Sequence, residues 1–198
     1  MNKRAPRPFS RLAIVVASLI GVAGASAGLI YLQHIQLPKR LSEVDPGVLY
    51  RSAQPKIAQI DNTIEEFGVK TLVIVREGES RAVPDEKEHA QSQGLRVIHI
   101  PVESRKPVPD EHVKRFFEIV DDPANRPVWV HCSAGRHRTG YLCALYRIER
   151  MGWSVEEATA EMISFGFDKA DQSPVLDQLK AYRPGRWKKT ATTSPSDQ

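Results

Sequence analysis

The segment His131-Cys132-Ser133-Ala134-Gly135-Arg136-His137-Arg138-Thr139-Gly140 places a cysteine and an arginine at the two ends of a short loop. A thiol is a strong nucleophile only as thiolate, and a helix N-terminus with a nearby cation can lower its pKa from about 8.5 by several units. Cys132 sits where both act. Arg138 carries a planar fork that can hold two oxygens of a phosphate, which a lysine could not reproduce, and it answers the charge that builds in the transition state. The residues between them, Ser133 to His137, let the chain curl so that successive N–H groups point inward at an anion, with Gly135 supplying the backbone freedom. The Thr139 hydroxyl is placed to hydrogen-bond the sulfur. His131 either supports the loop by hydrogen bonds or is a satisfied histidine at a strand end. The chemistry these residues can do is thiolate attack on a bound phosphate.

A loop of this kind needs a strand before it and a helix N-terminus after it. Pro127 to His131 reads as a short apolar strand, and Thr139 to Met151 as a helix with few polar positions that stops before Gly152. Upstream, short apolar runs alternate with helical ones, the signature of an α/β sheet with crossover helices. Val48 to Arg51 reads as a strand and Ile57 to Phe67 as a helix ended at Gly68. Thr71 to Val75 is a buried strand rich in β-branched residues. Pro84 opens a charged helix that stops at Gly94, and Leu95 to Ile100 is the next strand. Pro109 to Val120 is a helix whose Val113, Phe116, Phe117 and Val120 share one face. Ser154 and Glu157 form a capping box for a helix through Ile163, and Pro174 to Tyr182 makes a last one. The expected fold class is α/β, a central, mostly parallel sheet of about four to five strands flanked by helices.

The 198 residues suit one catalytic domain with accessory ends. The expected division is 1–38 for a basic N-terminus, hydrophobic segment and linker, 39–183 for the catalytic domain, and 184–198 for a disordered tail rich in Pro, Lys, Thr and Ser. The net charge of +4 arises from 28 basic against 24 acidic residues. Much of that excess sits at the chain ends, so a nucleic-acid partner is not expected. Of the two cysteines, Cys143 lies in an apolar run as a small buried hydrophobe, and a structural disulfide is not expected.

Leu12 to Leu32 form an almost unbroken apolar stretch of about 21 residues, enough to cross a hydrocarbon core. Lys3, Arg4, Arg7 and Arg11 precede it with no acidic residue, which keeps the N-terminus cytoplasmic and sends the catalytic domain to the periplasmic or extracytoplasmic side. The expectation is a single membrane anchor. The alternative is a leader cleaved near Ala25-Ser26-Ala27, giving a secreted or periplasmic domain.

The loop resembles the signature of the protein tyrosine phosphatase superfamily, His-Cys, five residues, Arg, Ser or Thr, Gly. From Val48 to Tyr182 the order of elements is similar to the compact dual-specificity branch, including atypical bacterial, fungal and plant members with a Leu-Tyr-Arg-Ser segment, here Leu49 to Ser52. The resemblance implies a dual-specificity phosphatase-like fold. It also implies a two-step reaction without metal or cofactor, in which Cys132 attacks phosphorus and water then releases phosphate. Ser133, Ala134, Gly135, Arg136, His137 and Arg138 would bind the phosphate, and Thr139 would assist the leaving sulfur.

The family's general acid is an aspartate after the strand preceding the nucleophile strand. Here that stretch reads Pro101-Val102-Glu103-Ser104-Arg105-Lys106-Pro107-Val108-Pro109-Asp110, with no aspartate at the expected place. Glu103 is the nearest carboxylate. Asp110 is an alternative, although acidic residues suit a helix start in any case. A mechanism with no protein acid would fit good leaving groups such as phosphoanhydrides. The Arg136-His137 pair adds positive charge, unless Arg136 points to solvent, and is similar to loops in the inositol pyrophosphate and phosphoinositide branches. The expected substrate is a phosphorylated protein. The alternatives are a small polyanionic phosphate, such as an inositol (pyro)phosphate or a phosphoinositide, and a catalytically weak module that binds phosphorylated partners.

Overall fold

The computed structural model describes residues 36–78, 82–168, 170 and 173–188, together with 15, 16, 18–24, 26 and 28. The chain separates into two compact units, Met1–Gln36 and Leu37–Gln198.

In the first unit the described residues from 15 to 28 are helical. Crossing a hydrocarbon core takes about 20 consecutive apolar helical residues. Among the described residues no helix is long and apolar enough to do so. This corrects the expectation of a single N-terminal anchor, of membrane attachment through it, and of a domain exported beyond it. Residues 12–14, 17, 25, 27 and 29–32 of the apolar stretch lie outside the described residues, and with Ala25 and Ala27 so does the leader-cleavage alternative.

The second unit runs β1 (Ser42–Asp45), β2 (Leu49–Ala53), α1 (Ile57–Phe67), β3 (Thr71–Ile74), α2 (Ala82–Ser92) and β4 (Arg96–His99). It continues with α3 (Asp110–Asp121), a 3-10 turn (Pro123–Asn125), β5 (Val128–Cys132), α4 (Arg138–Met151), α5 (Val155–Ser164) and α6 (Ser173–Lys180). The five strands form one sheet in the order β1-β2-β5-β3-β4. Only β1 runs antiparallel, and β5 lies between two parallel neighbours, with His131 opposite Ser52 on β2 and Ile74 on β3. This is the expected α/β class.

Both faces of the central strands are covered, as parallel strands require. Side chains alternate accordingly: Leu72, Ile74, Trp129 and Tyr50 pack with Ile60, Val83 and Ala90 of α1 and α2. Val73, Val128, Val130 and Leu49 pack with α3, α4 and α6 through Val113, Phe116, Leu142, Leu145 and Leu179. The face of α3 read from the sequence is buried at Val113, Phe116, Phe117 and Val120. Helix α1 ends at Gly68, whose left-handed φ of 59° lets its N–H return to the Ile64 carbonyl at 2.8 Å. The Ser154 and Glu157 capping box of α5 is formed in both directions.

Two segments differ from the sequence reading. Ser42–Asp45, to which the sequence pattern assigned no element, is an edge strand in which only Val44 is buried. Tyr146 of α4 holds it by donating to Asp45 at 2.6 Å, so tertiary contacts rather than hydrophobic periodicity make it a strand. Pro184 to Lys188, assigned to the disordered tail, turn back onto the domain. There Trp187 stacks on Phe117 and its carbonyl accepts from Arg150 at 2.7 Å. Residues 189–198 lie outside the described residues.

Candidate active site

The Cys132 loop joins β5 to α4 at the C-terminal edge of the sheet, the edge where open α/β sheets bind ligands. Its outward-facing carbonyls are each caught by a donor. The Ser133 carbonyl accepts from the Gln54 N–H at 3.2 Å, Ala134 from Arg40 at 3.3 Å and Gly135 from Arg51 at 2.9 Å. With the carbonyls held outside, the N–H side of the curl faces the sulfur. Gly135 makes the turn at a φ of +66°, pressed so close to β2 that a Cβ there would lie 2.5 Å from the Ala53 nitrogen and the Ser52 oxygen.

Cys132 is buried. Burial by itself would raise its thiol. The Thr139 hydroxyl, the Thr139 N–H, the Arg138 charge and the Gly135 N–H outweigh that effect and hold it below its ordinary value. The Thr139 hydroxyl is buried beside the sulfur and is the largest of these opposing influences. Cys143, also buried and unbonded, shows the contrast: burial dominates and pushes its thiol up to about 11. The same side-chain chemistry is nucleophilic at one position and inert at the other.

Arg138 donates to the Val102 carbonyl at 3.1 Å, so the loop after β4 orients the guanidinium. A cleft of about 500 Å³ opens above the sulfur, lined by Glu77, Ser104, Arg105, Cys132, Ser133, Ala134, Arg136, His137 and Arg138. Arg136 also reaches the Gly166 carbonyl at 3.4 Å, and His137 packs edge-on against Phe167 at 5.1 Å. Both side chains of the basic pair are thus turned toward the segment after α5. The arrangement can hold a phosphate against a thiolate with three arginines around it.

His131 is wholly buried, its Nδ1 3.3 Å from the Cys132 carbonyl and its Nε2 2.5 Å from Glu86 on α2. Glu86 is buried as well and accepts from Gln54 at 2.9 Å, and Gln54 accepts from Arg76. The structure brings together His131, Cys132, Ser133 to Arg138 and Thr139. It does not bring in the two carboxylates considered as acid. Glu103 is largely exposed and paired with Lys106, outside the cleft lining. Asp110 pairs with Arg186 and lines a different cleft with Tyr141 and Tyr182.

Sequence reading missed Glu77, Glu86 and Arg51. Arg51 is buried at 1% exposure under the loop, its guanidinium 3.8 Å from the centre of the Phe165 ring. The signal available in the sequence was an arginine inside a segment read as a strand, since the strands of a parallel sheet are covered on both faces and a charge buried there needs a partner.

A mostly parallel sheet that presents a Cys-Arg loop at the N-terminus of a buried helix, with the thiol held toward thiolate, defines a cysteine-dependent phosphatase of the dual-specificity type. The family model described as DSP-PTPase phosphatase fused to NAD+ Kinase matches residues 38–178, and the chain belongs to that family. It is 27% identical over 175 residues to the dual specificity protein phosphatase TpbA of Pseudomonas aeruginosa strain UCBPP-PA14, covering 83% of this chain and 77% of that one. It is 28% identical over 138 residues to the inositol diphosphatase SIW14 of Saccharomyces cerevisiae, covering 67% of this chain and 47% of that one. The solved catalytic core of SIW14 superposes with a TM-score of 0.66 at 25% identity, covering 74% of this chain and 87% of that one. The structure of P. aeruginosa TpbA gives 0.60 at 27%, covering 72% and 84%.

Proposed function

We propose that this chain dephosphorylates proteins, as a tyrosine or dual-specificity phosphatase, through a phosphocysteine at Cys132. One observation carries the reading: the Cys132 thiol is held below its ordinary value although buried, and it lines the same cleft as Arg138. In the first step the sulfur forms a bond to phosphorus as the bond from phosphorus to the leaving oxygen breaks, and that oxygen takes up a proton. Arg138 holds two phosphate oxygens through both states. In the second step water attacks phosphorus, the S–P bond breaks, and the Thr139 hydroxyl stabilises the thiolate that leaves. The loop residues Ser133 to His137 supply N–H groups to the phosphate. The likeness to TpbA, which covers most of both chains, supports a protein substrate.

A second reading, a small polyanionic phosphate such as an inositol (pyro)phosphate, is favoured by Arg105 and Arg136, which both line the cleft beside Arg138. Phosphate release from phosphotyrosine peptides, phosphoserine peptides and inositol polyphosphates, measured beside a Cys132→Ser control, separates the two. The protein reading requires Cys132-dependent turnover of a phosphopeptide with the highest kcat/KM. Preference for the polyanions would overturn it, and turnover that survives Cys132→Ser would remove both.

A further inference from the structure

We propose that Glu77 protonates the leaving oxygen, taking from the loop after β3 the task that the family gives to an aspartate after β4. The proposal rests on the phosphatase reading above and concerns the same site.

Glu77 follows β3, the strand paired to the nucleophile strand through Ile74 and His131, and the Val75 N–H reaches the His131 carbonyl at 2.8 Å. It therefore emerges at the same sheet edge as Cys132, between the nucleophile loop and the loop after β4. Among the described residues lining the cleft that holds Cys132 and Arg138, Glu77 is the one carboxylate. Its Oε2 accepts from the Ser104 N–H at 3.0 Å. That bond ties Glu77 to the segment whose Val102 carbonyl orients Arg138, and it leaves Oε1 to carry the proton. The two carboxylates considered from the sequence are engaged elsewhere, Glu103 with Lys106 and Asp110 with Arg186.

The steps balance. As the Sγ–P bond forms and the bond to the leaving oxygen breaks, the Glu77 carboxyl gives its proton to that oxygen and becomes carboxylate. In the second step the carboxylate takes a proton from the attacking water as the S–P bond breaks. Phosphate, the thiolate and the protonated carboxyl result.

The test uses the full chain with two aryl phosphates that differ in leaving group, p-nitrophenyl phosphate and phenyl phosphate. Glu77→Gln keeps an oxygen to accept from Ser104, so the loop tie survives while the proton donor is lost. General acid catalysis contributes about 10²- to 10⁴-fold. The expected result is a loss of kcat/KM of about 100-fold or more on phenyl phosphate, whose leaving group needs the proton. The loss on p-nitrophenyl phosphate is much smaller, and the alkaline limb of the pH profile disappears. Equal losses on the two substrates with the alkaline limb intact would overturn the proposal. So would the same leaving-group signature appearing in Glu103→Gln instead. A parent protein whose turnover of both substrates does not depend on Cys132 would overturn the phosphatase reading itself, and this proposal with it.

Discussion

Replacing Gly135 by alanine tests how tightly the loop is seated. The backbone there has a φ of +66°, and the left-handed region costs a residue with a Cβ about 1–2 kcal/mol. The added Cβ would meet the Ala53 nitrogen and the Ser52 oxygen at 2.5 Å, both backbone atoms of β2 that cannot rotate away. Restoring ordinary contact takes about 0.9 Å of displacement, and overpacking of this kind costs about 1–3 kcal/mol. Together these give about 2–5 kcal/mol, or about 4–20 °C in Tm for a domain of this size. The same shift lengthens the bond from Arg51 to the Gly135 carbonyl and moves the N–H groups around the sulfur. A misplacement near 1 Å is enough to cost about 100-fold in rate. Thermal unfolding and kcat/KM on an aryl phosphate measure both effects. A Gly135→Ala protein with the parent's Tm and kcat/KM would refute the claim that β2 braces the loop.

Two further substitutions probe the thiol and the buried support. Thr139→Ala removes the hydroxyl that counters burial at Cys132, so the thiol rises, and at any fixed pH below it the thiolate fraction falls. The ascending limb of iodoacetamide alkylation against pH should therefore move to higher pH; an unmoved limb would count against Thr139. Glu86→Ala leaves buried His131 and Gln54 without their carboxylate and should cost about 1–3 kcal/mol, while Glu86→Gln, which can still accept from Gln54, costs less. Equal Tm values for these two variants and the parent would show that the pair does not support the loop.

The nucleophile loop was legible because its chemistry is local. A cysteine, an arginine and a glycine at fixed spacing, between an apolar strand and a helix, already specify a curl of N–H groups around an anion. The covered elements were legible as well. β3 is covered on both faces and so reads as a continuous apolar, β-branched run, while Val113, Phe116, Phe117 and Val120 on α3 follow the 3.6-residue period of the one face they bury. The edge strand Ser42–Asp45 carried no such pattern because it buries a single side chain.

The residues around the loop belong to a different level. Arg51, Glu86 and Glu77 come from β2, α2 and the turn after β3, far along the chain from Cys132. They meet it only because β5 is inserted between β2 and β3. Which carboxylate lines the cleft with Cys132 depended likewise on where the loop after β4 turned its side chains, and it turned Glu103 to Lys106 and solvent. The sequence alone determined the nucleophile, its arginine and the strand-to-helix setting, because backbone curl and thiolate chemistry act within a few residues. The strand order decided what surrounds them, because charges and hydrogen bonds act through space rather than along the chain.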